Sequence, residues 1–170
     1  MKKIYETLIA DFCALTGIVD PTQIAALING NAIEIDNVDF SLAYSETEAP
    51  DRIMIFCDYG AIPQGEELRV YRALLEANLF TYSSDTAVFA AITGSNHVLC
   101  ANRFALNGLN AEELRGILGF ISERARNWRH THFDPAVPSL NGTNASRSSA
   151  MAQNLASQMA SKAAKKINLQ

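Results

Sequence analysis

The chain begins with two stretches whose apolar residues repeat at helical spacing. Positions three or four residues apart are occupied by Ile4, Leu8, Phe12 and Leu15. This spacing predicts an amphipathic helix over residues 2–16, ended by Gly17. Asp20-Pro21 then provides an N-cap residue and a proline at the first helical position, which predicts a short second helix through Ile28.

From residue 33 the spacing changes to the period of two that is typical of strands. Apolar and polar residues alternate over 33–35 and 38–44. Because Asp36-Asn37 between them suits a tight turn, the segment predicts a β-hairpin. Every residue of the run 53–57 is apolar, as expected of a central strand that is covered on both faces.

Loops and three further elements complete the predicted domain. Polar and Pro-containing residues predict a loop at 45–51, and Gly and Pro predict a linker at 58–65. An apolar stripe predicts a helix over 66–80 through Leu68, Tyr71, Leu74, Leu75 and Leu79. The remaining elements are a hairpin of strands 88–92 and 97–101 and a helix from Asn110, where Glu113 completes a capping box, to about residue 130.

This order of elements predicts an α+β fold, because strands follow strands and helices are grouped between them. We expect a five-stranded, mainly antiparallel, twisted sheet with three main helices in the order α-β-β-β-α-β-β-α, within a domain of residues 1–132. Residues 133–149 lack an apolar period and predict a flexible linker. Residues 150–170 are rich in alanine and predict a C-terminal tail helix.

Charge and hydropathy exclude several classes of protein. Residues 135–170 contain no acid and four bases, so residues 1–134 carry all 18 acids and 10 of the 14 bases, a net charge of −8. An acidic body repels phosphate, and we expect no binding to nucleic acid. No apolar run approaches the roughly 20 residues that span a bilayer, so we expect no membrane insertion. Acids near the N-terminus interrupt any leader core, and we expect no cleaved leader.

The sequence contains no persuasive active site. Cys13, Cys57 and Cys100 are an odd number of widely spaced cysteines in apolar stretches, which is typical of reduced thiols in a core. His97 is near Cys100, but a spacing of three on a strand places the two on opposite faces. His130-Thr131-His132 has the spacing of a weak metal motif and more simply ends a helix. We expect no catalytic residue, metal or cofactor, and a binding protein rather than an enzyme.

The apolar surface of the strands is larger than three helices can cover. The run 53–57 and the alternating strand 38–44 indicate an exposed apolar face, which usually marks a protein partner or a dimer seam. The alternative is a core that the first helix and the tail helix cover within one chain.

Two adjoining segments resemble the CesT/Tir family of type III secretion chaperones. Cys57-Asp58-Tyr59-Gly60-Ala61-Ile62-Pro63 is similar to the family's strand that enters a G-x-I/L-P linker. The following Tyr71-Arg72-Ala73-Leu74-Leu75-Glu76-Ala77-Asn78-Leu79-Phe80 is similar to its helix ending in Y-x-x-L-L-x-x-N. The element order, the acidic body and the late helix ending in Trp128-Arg129 agree over residues 1 to about 132.

The resemblance implies a class I secretion chaperone. Such chaperones are homodimers of the bacterial cytoplasm without ATPase activity, which hold the N-terminal segment of an effector extended and deliver it to the secretion apparatus, including its ATPase. Carried onto this chain, the candidates for apolar effector patches are Ile4, Leu8, Phe12, Phe40, Leu42, Ile53 and Ile55. The candidates for the dimer interface are Leu75, Leu79, Val88 and Phe89.

Two departures and two alternatives remain open at the level of sequence. The strand entry Thr86-Ala87-Val88-Phe89-Ala90-Ala91 differs from the family's usual G-A-T-F-G, and the segment after 132 is an addition. One alternative is a regulatory or structural interaction protein that shares the fold and serves no secretion system. The other is an enzyme that uses Cys100 and His97.

Overall fold

Helices and strands follow one another in the predicted order, and the computed structural model describes residues 1–81, 87–92 and 94–133. The helices are α1 (Lys2–Thr16), α2 (Pro21–Ile28), α3 (Glu67–Thr81) and α4 (Ala111–Thr131). The strands are β1 (Ala32–Ile35), β2 (Val38–Ser45), β3 (Ala49–Ala61), β4 (Ala87–Ala91) and β5 (His97–Ala105). The α+β class is therefore confirmed. The predicted linker and tail, 133–149 and 150–170, lie outside the described residues beyond Phe133.

The helix ends form for the local reasons that the sequence indicates. Gly17 ends α1 in the left-handed conformation with φ of 81°, which costs glycine little. The Asp20 carboxylate caps α2 by accepting a hydrogen bond from the Thr22 N–H at 3.0 Å. Asn110 and Glu113 form the reciprocal capping box of α4, at 2.9 and 3.2 Å. Within the described part of the chain, no helix is both long and apolar enough for a membrane span.

The sheet has five strands in the order β1-β2-β3-β5-β4, and every neighbouring pair is antiparallel. Asp36 and Asn37 both have positive φ, 51° and 63°, as a tight two-residue hairpin turn requires. The predicted hairpin is confirmed there. The run 53–57 lies in the central strand, and β1 and β4 form the two edges of the sheet.

The predicted loop 45–51 and linker 58–65 are wrong in extent, because β3 is longer at both ends than the apolar run within it. The strand continues through Ala61, which lies opposite His97 on β5. The register shifts between Asp58 and Gly60. The glycine marks a bulge within a paired strand, where one extra residue is accommodated, and not the end of the strand.

One face of the sheet, here called the inner face, forms the core with α1 and α4. Its buried residues include Phe40, Leu42, Ile53, Ile55 and Cys57, and Trp128 of α4 is among the largest buried side chains. The opposite outer face carries half-buried Met54, Phe56 and Leu99. The apolar run is therefore covered more fully on one face than on the other.

Candidate functional site

The β4 edge of the sheet is closed by a side chain of α3. Asn78 accepts a hydrogen bond from the Phe89 N–H at 2.7 Å and donates one to the Phe89 carbonyl at 2.9 Å. The carboxamide thus substitutes for a neighbouring strand at the middle residue of β4. Phe89 itself is 6% exposed and packs edge-on against Tyr59. This asparagine is the one in the L-L-x-x-N segment.

The closed edge also defines which backbone groups face outward at the other edge. Opposed residues in an antiparallel sheet alternate between hydrogen-bonded and non-hydrogen-bonded pairs. Because both backbone groups of Phe89 face α3, its pair with β5 is non-hydrogen-bonded. The same alternation can be followed from strand to strand across the sheet. Phe89–Cys100 is non-hydrogen-bonded, Cys100–Cys57 is hydrogen-bonded, Cys57–Phe40 is non-hydrogen-bonded and Phe40–Ile33 is hydrogen-bonded. Ile33 therefore bonds β2, and Ala32 and Glu34 direct their N–H and C=O groups away from the sheet.

The β1 edge is open. No hydrogen bond from elsewhere in the described ranges reaches the backbone of Ala32 or Glu34. Both residues are exposed, whereas Ile33 and Ile35 between and after them are half-buried and pack against the core. The sheet thus has one edge closed by its own chain and one edge with donors and acceptors available to another chain.

The open edge is held in place by Arg129 of α4. Its guanidinium donates hydrogen bonds of 2.6, 2.8 and 3.0 Å to the carbonyl oxygens of Asn37, Tyr59 and Asp58. A Cβ atom at Gly60, whose φ is 114°, would lie 3.1 Å from the Arg129 Nε, so glycine allows the arginine this close approach. The arginine ties the hairpin turn and the β3 bulge to one helix, which fixes the position of β1.

Carboxylates form a row on the outer face beside the open edge. Glu34 on β1 lies directly opposite Asp39 on β2. On β3, Asp58 follows Asp39 in this row, because the β2–β3 register pairs the neighbouring residues Phe40 and Cys57. His97 Nδ1 lies 2.9 Å from an Asp58 carboxylate oxygen. Among the residues that the structure describes, neither Glu34 nor Asp39 has an ion pair.

An apolar groove lies between α4 and the end of β5. Its volume is about 570 Å³, and its lining consists of Phe104, Leu109, Glu113, Gly116, Ile117, Phe120 and Ile121. Phe120 is 59% exposed, and the Arg124 guanidinium lies 5.6 Å from its ring centre.

A second apolar surface lies on α3 and β4. Leu75 is 71% exposed, Leu79 58% and Val88 59%. The opposite side of the helix is buried through Val70 and Leu74. We call Leu75, Leu79 and Val88, together with exposed Leu68, the α3 surface. Exposed large apolar side chains grouped on one helix face are typical of a protein interface.

The structure separates the candidate patch residues into core and surface. Leu8, Phe12, Phe40, Leu42, Ile53 and Ile55 are at most 4% exposed. Because side chains at this depth pack only against their own chain in the described conformation, they belong to the core and not to an accessible patch. Ile4 is 43% exposed, and its contact with an effector stays a prediction. Phe89 is likewise buried beneath the α3 surface.

The cysteines and His97 do not form a nucleophilic pair. Cys100 is buried on the inner face opposite Cys57, and burial raises the pKa of both thiols. His97 contacts Asp58 on the other side of the sheet. A buried, protonated thiol without a nearby base is a poor nucleophile.

The His130-Thr131-His132 segment ends α4, as the sequence indicates. His132 is the C-cap in the left-handed conformation with φ of 46°. Its ring packs edge-on against Trp128, with ring centres 4.9 Å apart, and burial lowers its pKa. Over the ranges 1–81, 87–92 and 94–133 the structure contains no cluster of three or more potential metal ligands.

Sequence reasoning missed the role of Asn78, the groove at Phe120 and the carboxylate row. The row carries a signal in the sequence, because Glu34 and Asp39 are equally distant from the Asp36-Asn37 turn and must therefore face each other. The groove depends on where β5 ends relative to α4 and has no local signal.

The sequence profile of the Tir chaperone protein (CesT) family matches residues 7–129. No curated protein sequence matches the chain. Several solved structures share the fold. The Yersinia pestis type III secretion chaperone SycH, solved with a stable fragment of YscM2, is 20% identical with a TM-score of 0.52, covering 72% of this chain and 97% of SycH.

Two further complexes contain a similar chain. A chain of the ExsC–ExsE complex is 17% identical with a TM-score of 0.57, over 72% of this chain and 89% of its own length. A chain of the HopA1–SchA chaperone–effector complex is 17% identical with a TM-score of 0.56, over 75% of this chain and 94% of its own. At such identities the structures establish a shared fold. Since the family profile spans most of the described domain, the chain belongs to the Tir chaperone protein (CesT) family.

Proposed function

We propose that the protein is a type III secretion chaperone of class I, which binds the N-terminal segment of a cognate effector and keeps it extended for secretion. The family membership supports this function. The observation that carries it is the open edge at Ala32 and Glu34, which offers backbone partners to an extended chain. The similar SycH and the HopA1–SchA complex support it as well, since their structures contain a partner fragment or effector.

Capture at this edge is a form of strand addition. The client's backbone exchanges hydrogen bonds with Ala32 and Glu34, which holds it extended and depends little on its side chains. Apolar client side chains can then be buried in the groove at Phe120 and beside Ile4. Binding through an edge and two apolar sites leaves the client without a globular core of its own, which is the state that secretion requires.

The α3 surface is the proposed interface of a homodimer. Leu75, Leu79 and Val88 are each more than half exposed in one chain, and a second copy would remove them from water. A dimer presents two open edges to one client chain. Once one edge has bound the client, the second edge meets it at a high effective concentration, so two weak contacts add up. We place the dimer in the bacterial cytoplasm, where it delivers the client to the secretion apparatus and its ATPase.

The proposed activity is binding alone, without catalysis, cofactor or metal. Burial holds the thiols of Cys57 and Cys100 protonated, which argues against covalent chemistry at either one. The family is one of chaperones.

The test is co-purification from the native host followed by a backbone variant. We expect one effector chain for two copies of the protein, with amide exchange slowed in the effector's N-terminal segment. Glu34→Pro removes the outward N–H at the edge together with the carboxylate and keeps the ladder to β2, and we expect the effector to be lost. Glu34→Ala keeps the N–H and serves as the matched control that still binds an effector.

An effector held equally well by Glu34→Pro would contradict capture at this edge. A host with an expressed secretion system and no bound client would favour an interaction protein that shares the fold.

A further inference from the structure

The pair Glu34 and Asp39 is an unfavourable feature of the free protein. Their pair is of the non-hydrogen-bonded kind, because Ile33 and Phe40 beside them form the hydrogen-bonded kind. In such pairs the Cβ atoms are about 4.5–5.5 Å apart, and two like charges at that distance repel each other. The fold therefore places two carboxylates side by side at the edge that is open.

Nearby bases do not neutralise this pair. His97 contacts Asp58, further along the row. The Arg129 guanidinium, which is close to the hairpin turn, donates to three backbone carbonyls. The negative charge at Glu34 thus stays uncompensated in the described part of the chain, on the outer face of the strand that an added strand would pair with.

An added strand has a defined register with respect to this charge. Because the Glu34 N–H and C=O point outward, the client residue opposite Glu34 in a strand added antiparallel forms a hydrogen-bonded pair with it, at a Cα separation of about 5.5 Å. Its side chain emerges on the outer face, in line with Glu34 and Asp39. The client residues before and after it emerge on the inner face, next to half-buried Ile33 and Ile35.

We propose that the β1 edge selects extended client segments with a lysine or arginine opposite Glu34 and apolar residues on either side of it. This inference rests on the proposed function, since it names the client chemistry that the open edge prefers. A cation at that position places a positive charge at the end of the carboxylate row, next to Glu34. It thereby offsets the repulsion between Glu34 and Asp39.

A second copy of this chain is a worse occupant of the same edge. If two β1 strands paired antiparallel, the Glu34 side chains of both copies would meet on one face of the joined sheet. The charge thus opposes edge-to-edge self-association, a common protection of edge strands, while it favours a basic client.

The test uses a phage-displayed library of random peptides as the probe. It is selected against the wild-type protein, Glu34→Lys, and the control Glu48→Lys, which makes the same charge change at an exposed turn between β2 and β3. We expect the wild type and Glu48→Lys to enrich an apolar–basic–apolar pattern. We expect Glu34→Lys to enrich Asp or Glu at the central position. Replacing that central residue by alanine in a selected peptide should change its Kd by about 1.5- to 5-fold, less at high salt.

The outcomes separate the two proposals. One outcome is that peptides bind the wild type and fail to bind Glu34→Pro, but have the same central residue whether selected on the wild type or on Glu34→Lys. This outcome would overturn the charge selection and leave strand capture standing. A basic preference that changes equally with Glu48→Lys would overturn it too, because it would report net charge. If Glu34→Pro still binds every peptide that the wild type binds, both strand capture and charge selection would be overturned.

Discussion

The two edges of the sheet differ in what completes their backbone hydrogen bonds. At β4, the Asn78 carboxamide bonds both the N–H and the C=O of Phe89. At β1, the equivalent outward groups of Ala32 and Glu34 have no partner within the described residues. A residue of the helix that precedes β4 thus closes the middle of one edge of the sheet, whereas the other edge is open within the described residues.

This difference assigns a structural role to one edge and a binding role to the other. An unpaired edge is a liability, which proteins limit by making it short and charged. β1 has four residues and carries the exposed Glu34. The open edge is therefore protected against self-pairing and yet remains available to a chain of the right charge.

The largest expected effect comes from opening the closed edge. Asn78→Ala removes two hydrogen bonds and leaves the partly buried backbone of Phe89 without them. We expect a loss of about 2–4 kcal/mol in the free energy of unfolding, measured by urea denaturation. The control Asn107→Ala, at an exposed loop position, should be nearly neutral. Equal stability of the two variants would contradict the closed edge.

A smaller effect is expected where the open edge ends. β2 extends past β1, and there the Tyr5 hydroxyl donates to the Leu42 carbonyl at 2.9 Å, while burial raises the pKa of Tyr5 to about 12. Tyr5→Phe should cost about 1–2 kcal/mol of unfolding free energy. The control is Tyr44→Phe, whose hydroxyl bonds the Pro50 carbonyl at the surface, and its loss should be smaller. Similar losses of unfolding free energy in both variants would show that the Leu42 carbonyl does not need the hydrogen bond from Tyr5.

Much of the fold could be predicted because its signals are local. The Asp36-Asn37 turn and the capping box at Asn110 are each set by residues within a few positions of each other. Signals of the same kind failed at Gly60, because the pairing of β3 with β5 continues through a bulge there.

The binding surfaces were harder to predict, since they depend on long-range placement. Leu8, Phe12 and Leu42 have the apolar character of patch residues, but the packing of α1 and the sheet into one core buries them. The stripe of α3 contains both buried Leu74 and exposed Leu75, which a period of 3.6 residues does not distinguish. Which strands form the edges follows from the strand order, a tertiary property.

Relief of charge at the open edge should stabilise the free protein. Glu34→Gln removes the repulsion with Asp39 across the hairpin and should raise the free energy of unfolding by about 0.2–1 kcal/mol. The gain should shrink in high salt, which screens the exposed pair. Glu48→Gln at the β2–β3 turn is the control, and no change is expected. A destabilised Glu34→Gln would mean that the carboxylate has a favourable partner.

The smallest expected effect is a pH dependence on the closed side. Burial, followed by the charge of Arg69, lowers the pKa of His132 in the folded chain. The unfolded chain then binds more protons below about pH 6.5, so stability is complete above that pH and falls as the pH decreases. His132→Asn keeps a residue that tolerates the left-handed C-cap and should flatten this slope in urea denaturation. An unchanged slope would assign the pH dependence to another group.

Residue-resolved amide exchange, with and without the bound N-terminal fragment of the co-purified effector, tests the contrast between the edges most directly. The Glu34 amide should exchange fast in the free protein and slowly in the complex, because the effector's backbone becomes its partner. The Phe89 amide should be protected in both states through Asn78. A Glu34 amide that exchanges equally fast in the complex, or a Phe89 amide that is unprotected in the free protein, would contradict one open and one closed edge.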